Sequence, residues 1–293
     1  MKSMIIPMQG FNAVGAGQTA NLSIAVGGYV YQALFLKVKH DPGAAPGTKM
    51  TAANFKILIE SIKVKVNGDS LIDVSGAELL ILNDFYGYPR ADGVFPIIFK
   101  RPEFIDPTDE VRFALGTQNV DTVSVEVKLA AAIVGPELSM SGDVLVQVRR
   151  DLGQVVRIRG QAYGAQAAAG INRIQDLTVR GRSSFAGFNS TERGLKALHL
   201  TAANIADHKV ILSGAVINEG EQDLLNVWAD VNAFQTVSRS PQPGIYHIDF
   251  AGNRYSGIVP TDAATEFALD LNFSAANPAF SVIAEEIIGN RDI

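Results

Sequence analysis

The stretch "GVFPIIFKRPEFIDPTDEVRFALGTQNVDTVSVEVKL", Gly93–Leu129, reads as three strands in succession. Phe95, Ile97 and Phe99 share one face of the first. Phe113 and Leu115 belong to a second, and Val123, Val125, Val127 and Leu129 to a third. Alternation with a period of two marks strands that rest one face on a core. Between the first two lies "KRPEF", where a catalytic loop would sit. Pro102 has no N–H and cannot serve an interior ladder position, and it pushes Arg101 towards extended geometry. The segment therefore reads as a strand end. An Arg101–Glu103 reactive pair is disfavoured, because no base or nucleophile stands beside it in the sequence.

Working outward, the stretch has an echo. "GIYHIDFAGNRY" begins at Gly244, offset by 151 from Gly93. "TAAN" occurs at Thr51–Asn54 and at Thr201–Asn204, offset by 150. "VNG" ends at Gly68 and "INEG" at Gly220, offset by 152, and "FAL" recurs from Phe113 to Phe267, offset by 154. Matches in the same order at a nearly constant spacing imply a duplicated domain. In the first copy, "FKILIESIKVKVNG" alternates at Ile62, Val64 and Val66 and ends in an Asn-Gly turn. Ser75 and Glu78 then fit a capping box, which predicts a short helix. In the second copy, Leu224, Leu225, Trp228 and Val231 fit one helical face, with Trp228 as a core anchor. Phe267, Leu269, Leu271 and Phe273 alternate as a late strand. These readings predict an all-β chain: two jelly-roll β-sandwiches, each with a short inserted helix. The expected domains are residues 1–147 and 148–293, with 148–184 linker-like.

Composition narrows the function classes. The 293 residues are 47% hydrophobic and 19% charged, so full cores can form. The charged share is below the ~25% usual in soluble domains, which suits a surface largely covered by partners or an ordinary β-rich protein. A net charge of −5 does not suggest nucleic-acid binding. The absence of cysteine excludes disulfides and thiol chemistry. The opening "MKSMIIPMQGFN" lacks the apolar core of a cleavable signal, and no apolar run reaches the ~20 residues that span a bilayer. The chain is expected to be made in a cytoplasm.

Chemical motifs are sparse. His40, His199, His208 and His247 form no H-x-H or H-E-x-x-H pattern, which disfavours a bicupin metal enzyme. "GAGQTAN" from Gly15 lacks the lysine of a phosphate loop. Asp106, Asp109 and Glu110 could offer oxygens to calcium, although a solvated turn after Pro107 is the simpler reading. Arg149, Arg150, Arg157, Arg159, Arg173, Arg180 and Arg182 bias the middle of the chain towards positive charge. Pairs between domains or subunits are the favoured use for them, with phosphate contact as the alternative. Strand Gly93–Phe99 is apolar on both faces, through Val94, Pro96 and Ile98, whereas its echo carries His247 and Asp249. An exposed apolar strand face asks for a partner, whether the inserted helix, the sister domain or another subunit.

"FKRPEF" at Phe99–Phe104, followed by "RFALGTQNVDTVSVEVKL" at Arg112–Leu129, resembles the amino-terminal domain of corticovirus-type major capsid proteins. "LKALHLTAAN" at Leu195–Asn204 and "YHIDFAGNRYSG" at Tyr246–Gly257 resemble strands of that family's second domain. The resemblance implies a double jelly roll of the tectivirus and adenovirus-hexon lineage, with no catalytic residues and no required cofactor. It implies homotrimers of pseudo-hexagonal outline that tile an icosahedral shell over an internal membrane in a DNA bacteriophage. Other capsid, vertex or membrane proteins and the lipid itself would be partners; calcium is associated with the family. Candidate interface residues are Val94, Pro96, Ile98, Arg149 and Arg150. The alternative is a β-sandwich carbohydrate-binding or spike protein, which would need an exposed aromatic platform.

Overall fold

The computed structural model describes residues 3–43, 46–145, 148–176, 194–221, 223–225, 242–252, 254–261, 264 and 266–289. The chain divides into two compact units. The first comprises Met1–Pro102, Asp106–Arg159 and Ile293; the second comprises Glu103–Ile105 and Gly160–Asp292.

Unit one contains two sheets. In one, β1 (Ser3–Pro7) pairs with β10 (Glu137–Leu145), and β10 pairs with β3 (Val30–His40). The other side of β3 is shared by β4 (Thr48–Lys49), β7 (Val94–Ile98) and β8 (Leu115–Gly116). The second sheet runs β2 (Thr19–Ile24), β9 (Val123–Leu129), β5 (Ile59–Val66), β6 (Asp69–Val74). These neighbours are antiparallel, but the outer edge of β6 receives β11 (Val155–Tyr163) in parallel, with Ile158 opposite Ile72 and Arg159 opposite Asp73. The alternating residues Val123, Val125, Val127 and Leu129 are all buried, as are Phe95 and Ile97. The period-two pattern thus lays down the core.

Three helices join these strands. α1 (Ala52–Leu58) is capped by Thr51, whose hydroxyl accepts from Asn54 N–H. Its Phe55 stacks on Phe95 with ring centroids 3.6 Å apart. α2 (Gly76–Phe85) begins in the expected capping box: Glu78 N–H donates to Ser75 Oγ, and Ser75 N–H donates to the Glu78 carboxylate. α3 (Pro107–Arg112) stands where a turn was expected. Asp106 caps it and Pro107 occupies its first turn, a position that tolerates a missing N–H.

Unit two repeats the plan. β16 (Tyr246–Asp249), β13 (Gly194–Leu200) and β19 (Phe280–Ile288) form one sheet, with β17 (Val259–Pro260) also pairing β13. The other sheet runs β12 (Gly170–Asp176), β18 (Phe267–Phe273), β14 (Ile205–Leu212), β15 (Ala215–Glu221). Leu198, Val210, Ile248, Leu271, Phe273 and Val282 belong to one buried apolar cluster. Asp223, Leu224 and Leu225 are helical. Trp228 and Val231 of that expected helix lie outside the described residues, as do Arg180 and Arg182. Residues 155–163 and 170–176, inside the segment read as linker-like, are strands β11 and β12.

Apart from β4, which has no counterpart among the described residues, β1–β10 and β11–β19 follow the same order, and the structure corrects two of the sequence matches. In unit one the β5–β6 hairpin turns at Asn67-Gly68, with φ of 51° and 94°; in unit two β14–β15 turns at Ser213-Gly214, with φ of 50° and 80°. Both central residues are left-handed in each, the geometry a two-residue hairpin needs. Register shifts at Val64/Lys65 and Ile59/Ser61 recur at Val210/Ile211 and Ile205/Asp207, all displaced by 146. Gly220 therefore does not end a turn like Gly68; it lies inside β15. The "FAL" match also fails: Leu115 is in the two-residue β8, whereas Phe267–Leu269 open β18, the counterpart of β9.

Candidate functional site

Within unit one the "FALGT" run is a structural join. Thr117 is fully buried, and its hydroxyl donates to Tyr29 O at 2.7 Å while accepting from Tyr29 N–H at 3.3 Å. A side chain on Gly116 would strike the Arg150 and Asp151 carbonyls, so the motif's glycine is dictated by close backbone approach. Arg150, expected at an interface, is spent locally. Its guanidinium donates to Val111 O at 2.7 Å and to Arg112 O, satisfying carbonyls at the end of α3. Burial, then the Arg112 charge, holds Arg150 below the usual guanidinium range. Arg149 is exposed.

The three acids proposed for calcium are brought near one another but are engaged separately. Asp106 accepts from Thr108 N–H at 2.7 Å, and that hydrogen bond holds its carboxyl below the usual range. Asp109 pairs with Arg112 at 3.1 Å, and Glu110 with Lys100 at 3.0 Å. Among the described residues no group of three or more histidines and acids is arranged to hold a metal ion.

Of the apolar strand face, Pro96 is buried, and Val94 and Ile98 are half-buried. Asn83 of α2 donates to Pro96 O at 3.0 Å, so the inserted helix braces this strand. Pro96 sits on an edge strand, the place in a sheet where its missing N–H is tolerated. Val94 also lines a groove of about 210 Å³ with Lys37, Lys39, Lys49 and Glu137.

Unit two holds a buried polar cluster that spacing alone did not reveal. His199 on β13 faces His247 on β16 in register, their Nδ1 atoms 2.7 Å apart. One Nδ1 must carry the proton and the other accept it. His199 Nε2 lies 3.0 Å from a Glu285 oxygen on β19. Lys196 Nζ is 3.1 Å from Glu103 and 3.6 Å from the second Glu285 oxygen. Lys196, His199 and Glu285 are fully buried, so the cluster ties three strands together and presents nothing to a substrate. The glutamate of "KRPEF" is thus a buried partner of a lysine. The signal that could have found it is alternation: Lys196 and His199 interrupt an otherwise apolar strand, "GLKALHL".

Two strand edges carry exposed apolar side chains. Among the described residues β1 pairs only with β10, and β15 only with β14. Met4 and Ile5 of β1 are 49% and 65% exposed; Val216 and Ile217 of β15 are 52% and 37% exposed. An open edge with exposed apolar side chains is a template for another strand.

Two family models cover this chain: the viral coat protein P2 N-terminal domain over residues 5–147, and the P2 C-terminal domain over residues 161–289. The chain belongs to the P2 family of viral coat proteins. As a P2-family coat protein it is a structural protein, not an enzyme. Its fold is similar to that of the major capsid protein P2 from bacteriophage PM2, with a TM-score of 0.80 at 17% identity over 98% of each chain. It is also similar to the Faustovirus major capsid protein, with a TM-score of 0.64 at 9% identity over 98% of this chain and 90% of that one. The Sulfolobus turreted icosahedral virus structure gives 0.63 at 12% identity over 98% and 91%. No curated protein matches. These likenesses establish the double jelly roll expected of the P2 family, and capsid proteins assemble with copies of themselves into the shell of the virion.

Proposed function

We propose that this protein is the major capsid protein of a membrane-containing DNA bacteriophage, and that three copies form its building block. The observation that carries the reading is the duplication: two jelly rolls of identical strand order in one P2-family chain. A chain with two equivalent units lets a closed threefold ring present six similar faces, so trimers pack in a hexagonal lattice. Assembly is then the whole mechanism, and no cofactor is needed. Lateral contacts build the shell, and vertex proteins, membrane proteins and the internal lipid meet its remaining faces.

The test is the mass of the purified protein by light scattering, followed by negative-stain imaging. The expected species is three times 31.3 kDa, with a hexagonal outline. A strict monomer that binds glycans would overturn the proposal in favour of a carbohydrate-binding sandwich.

A further inference from the structure

The internal repeat makes an assignment that neither unit makes alone. In unit one the outer edge of β6 is closed by β11, in parallel. In unit two the counterpart of β6 is β15, placed by the shared turn, bulges and offset of 146, and its outer edge is open among the described residues. The side chains register the difference. Leu71, on the bulge of β6, is buried, whereas its counterpart Ile217 is 37% exposed.

The strand that should close β15 can be identified from the same repeat. β11 is the strand preceding β12, as β1 is the strand preceding β2. An offset of 152 carries Ser3–Pro7 onto Val155–Arg159, whose last two residues, Ile158 and Arg159, pair with β6, and carries Thr19–Ile24 into β12. β1 is therefore the counterpart of β11. It holds β10 on one side, and among the described residues its other side is open, with Met4 and Ile5 exposed.

We infer that β1 of one copy pairs in parallel with β15 of a second copy, repeating between chains the β11–β6 pairing found within one. The inference rests on the coat-protein reading above. The repeat sets Ile6 beside Asn218, and the same register continued two residues back sets Met4 beside Val216 and Ile5 beside Ile217, so the four exposed apolar side chains cover one another. Pro7 limits the pairing. Met8 N–H is bonded to Met140 O across β10, so the nitrogen of the preceding residue points away from β10. As a proline it offers no donor there, and the shared ladder runs over Ser3–Ile6. Because β1 and β15 are different surfaces of the same chain, the contact is head to tail and can close into a ring.

The chain has no cysteine, so introduced thiols report this contact without background. The double variants Ile5→Cys/Ile217→Cys and Met4→Cys/Val216→Cys are oxidised after assembly and separated on a non-reducing gel. Linked species up to three chains are expected from the double variants, against dimers at most from single variants. Separately, Ile5→Lys and Ile217→Lys, both at exposed positions, are expected to keep the wild-type circular dichroism and to lose assembly by light scattering. A wild type that assembles while the double variants link no better than the single ones, and while both lysine variants assemble normally, sinks this pairing and leaves the coat-protein reading intact. A wild type that never assembles sinks both.

Discussion

The hairpins β5–β6 and β14–β15 share a turn geometry, two bulges and even a cross-strand ion pair, yet they are finished with opposite chemistry. Lys63 pairs with Asp73 at 2.9 Å in the first, and Lys209 with Glu219 at 3.5 Å in the second. Where the first buries Ile62, the second buries His208; where the first buries Ile72, the second has Asn218. His208 Nε2 lies 2.7 Å from Asn218 Oδ1, and its Nδ1 lies 2.9 Å from both Gly220 O and Tyr246 OH. The contrast extends to one face of the other sheet, where Pro96 and Ile98 of β7 are answered by His247 and Asp249 of β16, while Phe95 and Ile97 keep apolar counterparts in Tyr246 and Ile248. One topology accepts either an oily or a hydrogen-bonded interior. The polar version demands that every partner be present, because an unsatisfied buried group costs more than a missing contact on the surface.

The strongest way to break unit two is therefore to remove a charge from its cluster. Lys196→Met takes the buried ammonium away from Glu103 and Glu285. A loss of about 3–5 kcal/mol is expected, read as a fall in the denaturant midpoint of unit two. In unit one the corresponding blow is to packing. Phe95→Ala removes the ring stacked on Phe55, and about 3 kcal/mol of stability should go with it. Equal midpoints for Lys196→Met and wild type would mean that the cluster is not a structural tie.

How far the fold could be read from the sequence follows the same division. Unit one is written in regular alternation and turn signals: Val123 to Leu129, the Asn67-Gly68 turn, and Ser75 with Glu78 all form what their spacing implies. Unit two hides its hairpin, since Ser213-Gly214 is a weaker turn signal than Asn-Gly, and "INEG" drew the match to Gly220 instead. α3 was missed although Asp106-Pro107 is a cap followed by a first-turn proline. The open strand edges are hardly legible. Val94, Pro96 and Ile98 ask for a cover because they are apolar, and the inserted helix α2, one of the expected covers, braces the strand that carries them, while Arg150 closes α3. Whether a strand edge stays open is decided by which strands arrive beside it, and Met4, Ile5, Val216 and Ile217 carry no local mark of that.

Acid should separate the two hairpins further. Burial lowers the His208 pKa from 6.5, outweighing the Asn218 and Gly220 hydrogen bonds and the charges of Asp207 and Glu219, which raise it. Burial likewise pushes the neighbouring Tyr246 phenol up. The folded state thus favours the neutral imidazole, and the unfolded chain takes up a proton first as pH falls. The contribution of His208 to the stability of unit two should be complete above pH 6.5 and decline below it. His208→Ile should flatten this decline at a cost of about 1 kcal/mol at neutral pH, since it strips partners from Asn218 and Tyr246. Thermal melts of both proteins between pH 7 and pH 5 measure it. An unchanged acid profile in His208→Ile would assign the sensitivity elsewhere.

The smallest expected difference lies in the one feature the hairpins share. Lys63 and Asp73 are about one-third exposed and close, whereas Lys209 and Glu219 are more than half exposed and farther apart. Solvent and salt screen the second pair more completely. Lys63→Met should cost about 0.5 kcal/mol, Lys209→Met less, and the gap between them should close in 1 M salt. Urea midpoints at low and high salt are the measurement. A larger effect at Lys209 would show that Asp270, which lies opposite it on β18, holds this lysine more firmly than Glu219 does.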